Sequence, residues 1–131
     1  MVRLWVGLAF VGLAACAHEP RTDLAKSSLI LADSGLNVAG TGLEIGFGRA
    51  QAGAVASVSR FLGLPSTRLA GAGCTAVRWN AGFEMVFLEG DFSGWRSSDP
   101  DLFVADAPAI RKTTDTAGVI TSQSAGAACA V

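Results

Sequence analysis

The chain has 131 residues, with ten Lys and Arg against eleven Asp and Glu and a net charge of −1. That length suits one domain, and the near-balanced charge removes the electrostatic case for nucleic acid or an anionic surface as a partner. Half of the residues are hydrophobic, but many of these are Ala and sixteen further residues are Gly, so the core is expected to be small and to lean on a few aromatics. With no Tyr and a single His, few groups are left for chemistry near neutral pH.

The first segment, MVRLWVGLAFVGLAACAHEP, has the layout of an exported leader. Arg3 supplies a positive n-region, Leu4 to Leu13 an apolar h-region, and Ala14-Ala15 the small residues a signal peptidase accepts. The apolar run is too short to span a bilayer core of about 30 Å. Leu13-Ala14-Ala15-Cys16 resembles a bacterial lipobox, which implies cleavage between Ala15 and Cys16 and a diacylglyceryl thioether on the Cys16 sulfur. Each buried acyl methylene contributes about 0.8 kcal/mol, so two or three chains anchor stably where one does not. The alternatives are an ordinary secretory signal with a coincidental Cys, or a leader that is never cut. Ala17, where an Asp would signal inner-membrane retention, favours the outer membrane, facing the periplasm. Removal of residues 1–15 takes away one cation, Arg3, leaving 116 residues at −2. Residues 16–27 then read as a polar, lipidated tether. His18 lies in it without a second His or a free Cys to share a metal, so no metal site and no cofactor are expected.

From residue 28 the pattern is that of a folded body, expected to run to 122 and to leave 123–131 as a tail. Leu29-Ile30-Leu31 is an apolar run closed by Asp33-Ser34-Gly35, and Leu43, Ile45 and Phe47 alternate with Glu44 and Gly46, so two strands are expected. Arg49 to Leu62 switches to helical spacing, with Val55, Val58 and Leu62 on one stripe flanked by Ala54 and Phe61. Gly63 and Pro65 stop that helix. Gly53 inside it suggests close packing against a sheet. The stretch Cys74 to Trp95 carries the strongest strand signals. Thr75 to Trp79 precedes Asn80-Ala81-Gly82; Phe83, Met85 and Phe87 then alternate with Glu84, Val86 and Leu88, and Glu89-Gly90 reads as a tight turn. The expected fold is α+β: a small antiparallel sheet of about 4–5 strands, with one main helix packed on one face.

Leu62-Gly63-Leu64-Pro65, Val77-Arg78-Trp79 and Phe87-Leu88-Glu89-Gly90-Asp91-Phe92 together resemble small envelope lipoproteins of alphaproteobacterial type whose function is unassigned. More distantly they look like the helix-on-meander module of SmpA/OmlA small lipoproteins and of β-lactamase-inhibitor-like domains. The resemblance covers roughly residues 28 to 96, and its motifs are structural. The SmpA/OmlA type implies a role in outer-membrane protein assembly. That module normally places its helices before the sheet and lacks the strands expected over residues 28–47, and no binding residue is carried over.

After Trp95 the signal fades. Ser98 or Asp99 followed by Pro100 reads as a helix start, giving a short turn through about Ala105. Asp99, Asp101 and Asp106 lack the Gly and terminal Glu of a calcium loop and read as a solvated acidic turn. Val119-Ile120-Thr121 suggests one more strand. With Cys16 lipidated, Cys74 and Cys129 form an even pair in an oxidising compartment and are a candidate disulfide that would tie down the tail; the alternative is one buried and one frayed free thiol.

No Gly-x-Ser-x-Gly elbow, Ser-x-x-Lys or HExxH is present, and Gly40-Thr41-Gly42, Gly46-Phe47-Gly48 and Gly71-Ala72-Gly73 lack phosphate-loop spacing. Glu84 and Glu89 are carboxylates that acid–base work on a glycan would need, but they also fit plain strand and turn positions. Arg78, Trp79, Trp95 and Arg96 are the candidate interaction patch, since Arg and Trp are enriched at interface hot spots; the alternative buries both Trp under the Arg stems. The expected function is that of a membrane-anchored, non-enzymatic interaction module with an envelope protein or peptidoglycan as partner. The alternative is a small-ligand or inhibitor-type binding domain, with a hydrolase third.

Overall fold

A computed structural model describes residues 24–129. Leu29–Ala32 (β1) turns at Asp33-Ser34 into Gly35–Val38 (β2), and a loop returns the chain as Glu44–Gly46 (β3). Gln51–Leu62 forms the helix α1. Thr67–Gly71 (β4), Cys74–Trp79 (β5), Phe83–Leu88 (β6) and Asp91–Ser97 (β7) follow as a meander. Phe103–Val104 (β8), Arg111–Thr114 (β9) and Ile120–Gly126 (β10) complete the chain. Two sheets result, one in the order β3-β2-β1-β8 and one in the order β4-β5-β6-β7-β10-β9. All pairings are antiparallel except β1 with β8.

This corrects the expected fold class. The protein is mostly β, with ten strands in two sheets and one α-helix of twelve residues among the described residues. The expected strands and the meander over Cys74 to Trp95 are present, with α1 two residues shorter at its start than the helical spacing from Arg49 to Leu62. The four additional strands β2, β4, β8 and β9 are short or lie at sheet edges. Every residue of β9 is exposed, as is all of β4 except Leu69. A strand wet on both faces needs no hydrophobic alternation, so it leaves no period-two trace. The helix start expected at Ser98 or Asp99 yields a turn at Pro100-Asp101 that ends well short of Ala105: Asp99 Oδ1 accepts the Asp101 N–H at 2.9 Å, and the chain then runs extended into β8.

The two sheets and α1 enclose one core. Leu29, Leu31, Leu36 and Ile45 come from the first sheet, Ala54, Val55, Val58 and Phe61 from α1, and Val77, Trp79, Phe83, Met85, Phe87, Phe92 and Trp95 from the second. Phe47 meets Phe92 edge to face, and Phe92 meets Phe87 at a tilt, with ring centroids 5.0 and 5.8 Å apart. The helix begins without a side-chain cap. Instead its lead-in is stitched to β7: the Gly48 N–H donates to Phe92 O, the Phe92 N–H to Arg49 O, and the Gln51 N–H to Gly90 O, all at 2.7–2.9 Å. One orphan donor of the helix is thus satisfied by the β6–β7 turn. In that turn Glu89 and Gly90 both have positive φ, 49° and 82°, the conformation a two-residue hairpin favours. Gly53 is a second correction: it is exposed, and a Cβ there would meet nothing within 4 Å, so no sheet packs against it.

The body is longer at both ends than residues 28–122. The Leu24 N–H donates to Arg60 O at 3.1 Å, and the Lys26 ammonium pairs with the buried Asp99 carboxylate. At the other end β10 continues through Gly126 and Cys129 is covalently tied to β5, so most of the expected tail is part of the structure.

Candidate functional site

Side chains alternate between the two faces of a sheet, and the register of the six-stranded sheet assigns each. Trp79 stands opposite Phe83 and Trp95 opposite Met85 on the inner face; Arg78 and Arg96 flank Glu84 on the outer one. Trp79 is 4% exposed and Trp95 1%. Their indole N–H groups are engaged internally, Trp79 Nε1 donating to Gly63 O at 2.8 Å and Trp95 Nε1 to Ala32 O at 2.7 Å. The predicted patch Arg78, Trp79, Trp95, Arg96 is therefore divided, with both Trp in the core and both Arg outside. Period two requires this, because Arg78 and Trp79 are sequence neighbours, as are Trp95 and Arg96.

On the outer face Thr67, Arg78, Glu84, Arg96, Ser124 and Arg111 stand side by side across all six strands. Arg78 Nε donates to Glu84 Oε2 at 3.1 Å. Arg111 donates from Nη2 to Gly126 O at 2.6 Å and from Nε to Ser124 Oγ at 3.3 Å. Arg96, between them, has no side-chain hydrogen bond or ion pair among the described residues, so the row carries three cations and one anion with one guanidinium unengaged. A shallow cavity of about 310 Å³ opens where Arg78, Glu84 and Arg96 meet Gly82 and Ser98.

The disulfide joins Cys74 at the start of β5 to Cys129 beyond the end of β10, with Cα atoms 5.7 Å apart. To reach it the tail crosses the outer face. A Cβ on Gly94 would lie 2.0 Å from Ala127 O, and the Ala127 N–H donates to Ser93 O at 2.8 Å. This crossing accounts for Val86, the outer-face neighbour of Gly94, being buried although it alternates with core residues.

A second cavity, of about 360 Å³, lies between α1 and the β2–β3 hairpin. Leu24, Val38, Ile45 and Phe61 form its floor, Leu43 stands at its mouth 64% exposed, and Arg49 and Arg60 sit on its rim. Its residues come from separated stretches of the chain, and no local pattern marks them.

The remaining candidates fall apart as sites. Glu84 and Glu89 are five strand positions apart, roughly 17 Å at the usual rise. Glycosidase carboxylates need about 5–9.5 Å. Asp99 pairs with Lys26, which also approaches Asp101 to 3.9 Å, and no group of three metal-ligating side chains occurs among the described residues. Ala15, Cys16 and His18 lie outside the described residues. No helix among the described residues is long and apolar enough to cross a membrane. No protein family, curated protein or solved structure matches the chain.

Proposed function

We propose that the chain is a lipid-anchored protein of the bacterial envelope that works by contact, as a non-enzymatic interaction module. The observation that carries this reading is the Cys74–Cys129 bridge: two of the three Cys are committed to each other, and the third, Cys16, stands in Leu13-Ala14-Ala15-Cys16. A disulfide of this kind persists in oxidising compartments, which supports export, and the lipobox supports acylation of the remaining thiol. Ala17 in place of Asp supports outer-membrane sorting toward the periplasm. Contact in place of catalysis is supported by the separation of the two candidate carboxylates, and with both Trp buried the contact surface falls to the outer-face Arg. The outer row of Arg78, Arg96 and Arg111 is the surface this reading assigns to an envelope protein or to peptidoglycan, whose carboxylates suit guanidinium recognition.

Metabolic labelling with an alkyne palmitate and mass analysis of the mature N-terminus test the anchor. The expected result is a triacylated or diacylated Cys16 as the first residue, and loss of label with accumulation of uncleaved chain in Cys16→Ser. An unmodified Cys16 in the membrane fraction, or a mature chain beginning elsewhere, refutes it. The small-ligand reading is favoured by a different observation, the apolar groove beside α1.

A further inference from the structure

We propose that the cavity on the outer face of the six-stranded sheet binds a zwitterionic α-amino acid head, the ligand's carboxylate against Arg96 and its ammonium against Glu84. The cavity, of about 310 Å³, lies where β5, β6 and β7 run side by side, and Gly82 and Ser98 close one end of it. A volume of this size holds a head group and little more, which makes the charged side chains around it the determinants of what enters.

The strand register sets the order of charges. Arg78 stands opposite Glu84 and Glu84 opposite Arg96, so one carboxylate lies between two guanidiniums across three strands. Directly opposed residues on one face have Cβ atoms about 4.5–5.5 Å apart, which puts Glu84 within reach of both cations. It pairs with one of them: Arg78 Nε donates to Glu84 Oε2 at 3.1 Å, while Arg96 has no ion pair or side-chain hydrogen bond among the described residues. Arg96 therefore keeps all five N–H donors for a ligand, and Glu84, its side chain 17% exposed, keeps Oε1 without a donor among those residues. The Ser98 hydroxyl gives its proton to Gly82 O at 3.3 Å and retains its lone pairs. Donors thus stand on the Arg96 side of the cavity, and acceptors stand at Glu84 and Ser98.

Simpler heads fit this arrangement less well. A carboxylate alone would stand beside the unshared oxygen of Glu84, and an amine alone would stand between two guanidiniums, each an opposition of like charges. An α-amino acid head carries both charges on one carbon and leaves neither opposed. Gly82 keeps the end of the cavity open, since a Cβ there would come within 2.5 Å of Ser98 Oγ. A free amino acid and the side-chain end of diaminopimelate in a peptidoglycan stem peptide share this head. The inference rests on the reading of the outer face as the contact surface and names the chemical group which that face takes.

The test titrates the full chain, purified in detergent, with norleucine, hexanoate and pentylamine, which share a hydrocarbon chain and differ in the head, and follows the Arg Nε–H resonances by NMR. Saturable shifts are expected with norleucine, at an affinity about tenfold or more above that of either single-charge probe. Arg96→Gln should weaken norleucine by about five- to tenfold. Glu84→Gln should weaken norleucine by a similar factor and strengthen hexanoate, an inversion that a merely structural effect would not produce. Melting curves verify folding, and either folded variant alone suffices. An N-acetylmuramyl tripeptide ending in diaminopimelate, with its side-chain amine free or acetylated, separates the two sources. The free form should bind and the acetylated form should not. Binding of the tripeptide well above that of norleucine assigns the site to peptidoglycan, and equal binding assigns it to a free amino acid. The proposal is overturned if norleucine gives no saturable shift, if hexanoate binds the parent as tightly as norleucine does, if acetylation changes nothing, or if the folded variants bind as the parent does. Because the titration reports on this cavity alone, its failure leaves the acylation of Cys16 intact, and failure of the palmitate labelling leaves a positive titration standing.

Discussion

Two glycines show how differently the same residue is used. Gly53 occupies the exposed side of α1 with open space where a Cβ would stand, so its only effect is the entropic penalty of Gly in a helix interior. Gly53→Ala should raise stability by about 0.5–1 kcal/mol, visible as a higher urea midpoint with an unchanged slope. Gly94 sits where the C-terminal tail lies flat on β7, and a Cβ there would overlap the backbone O, N and C of Ala127. Backbone cannot rotate away as a side-chain tip can, so Gly94→Ala should cost about 1–3 kcal/mol or more and loosen the tail. A destabilised Gly53→Ala or a neutral Gly94→Ala would show that these neighbours are wrongly placed. Sequence alone distinguishes neither: Gly53 breaks a helical pattern and suggests a tight fit, whereas Gly94 sits unremarked in Ser93-Gly94-Trp95.

At the scale of elements, the sheets are held together by indole hydrogen bonds as well as by apolar contact. Trp95 of β7 donates to the carbonyl at the end of β1, linking the six-stranded sheet to the four-stranded one, and Trp79 of β5 donates to the residue that ends α1. Trp95→Phe keeps a ring in the core but leaves the buried Ala32 carbonyl without this donor. The expected loss is about 2–4 kcal/mol from the missing bond and the unfilled volume, measured by chemical denaturation. A loss near zero would mean that the contact contributes no sheet-to-sheet stability. That both Trp belong to the core was legible only in part. Alternation in Phe83-Glu84-Met85-Val86-Phe87 fixes which β6 residues face inward, and cross-strand register then forces Trp79 and Trp95 to the same side. The register itself depends on turn lengths that a single sequence leaves open. The edge strands were illegible for a plainer reason: Thr67-Arg68-Leu69-Ala70-Gly71 and Arg111-Lys112-Thr113-Thr114 bury almost nothing, so no hydrophobic pattern specifies them. Their pairing follows from a neighbouring strand that is already in place.

For the whole molecule, the bridge from Cys74 to Cys129 decides whether the chain's last residues belong to the fold. The residues are 55 apart in sequence, and closing a loop of that size restricts the unfolded chain by about 4 kcal/mol in the chain-entropy account. A domain of this length has a total stability of roughly 5–15 kcal/mol, so the bridge is a large share of it. The groups it protects are specific. The tail covers Gly94 and the outer-face Val86, while β10 remains paired with β7 through Gln123, Ser124 and Ala125 independently of the bridge. Reduction, or Cys129→Ser, should therefore act in two separable ways. The urea midpoint should fall by an amount equivalent to about 4 kcal/mol. Under native conditions hydrogen exchange should quicken at Ala127, whose N–H bonds Ser93 O, before it quickens along β10. If exchange at Ala127 and along β10 rises together, the tail and the strand open as one unit, and the bridge anchors an edge of the sheet as well as its cover. If neither changes on reduction, the tail is held by the close approach at Gly94 alone and the covalent link acts only on the unfolded chain.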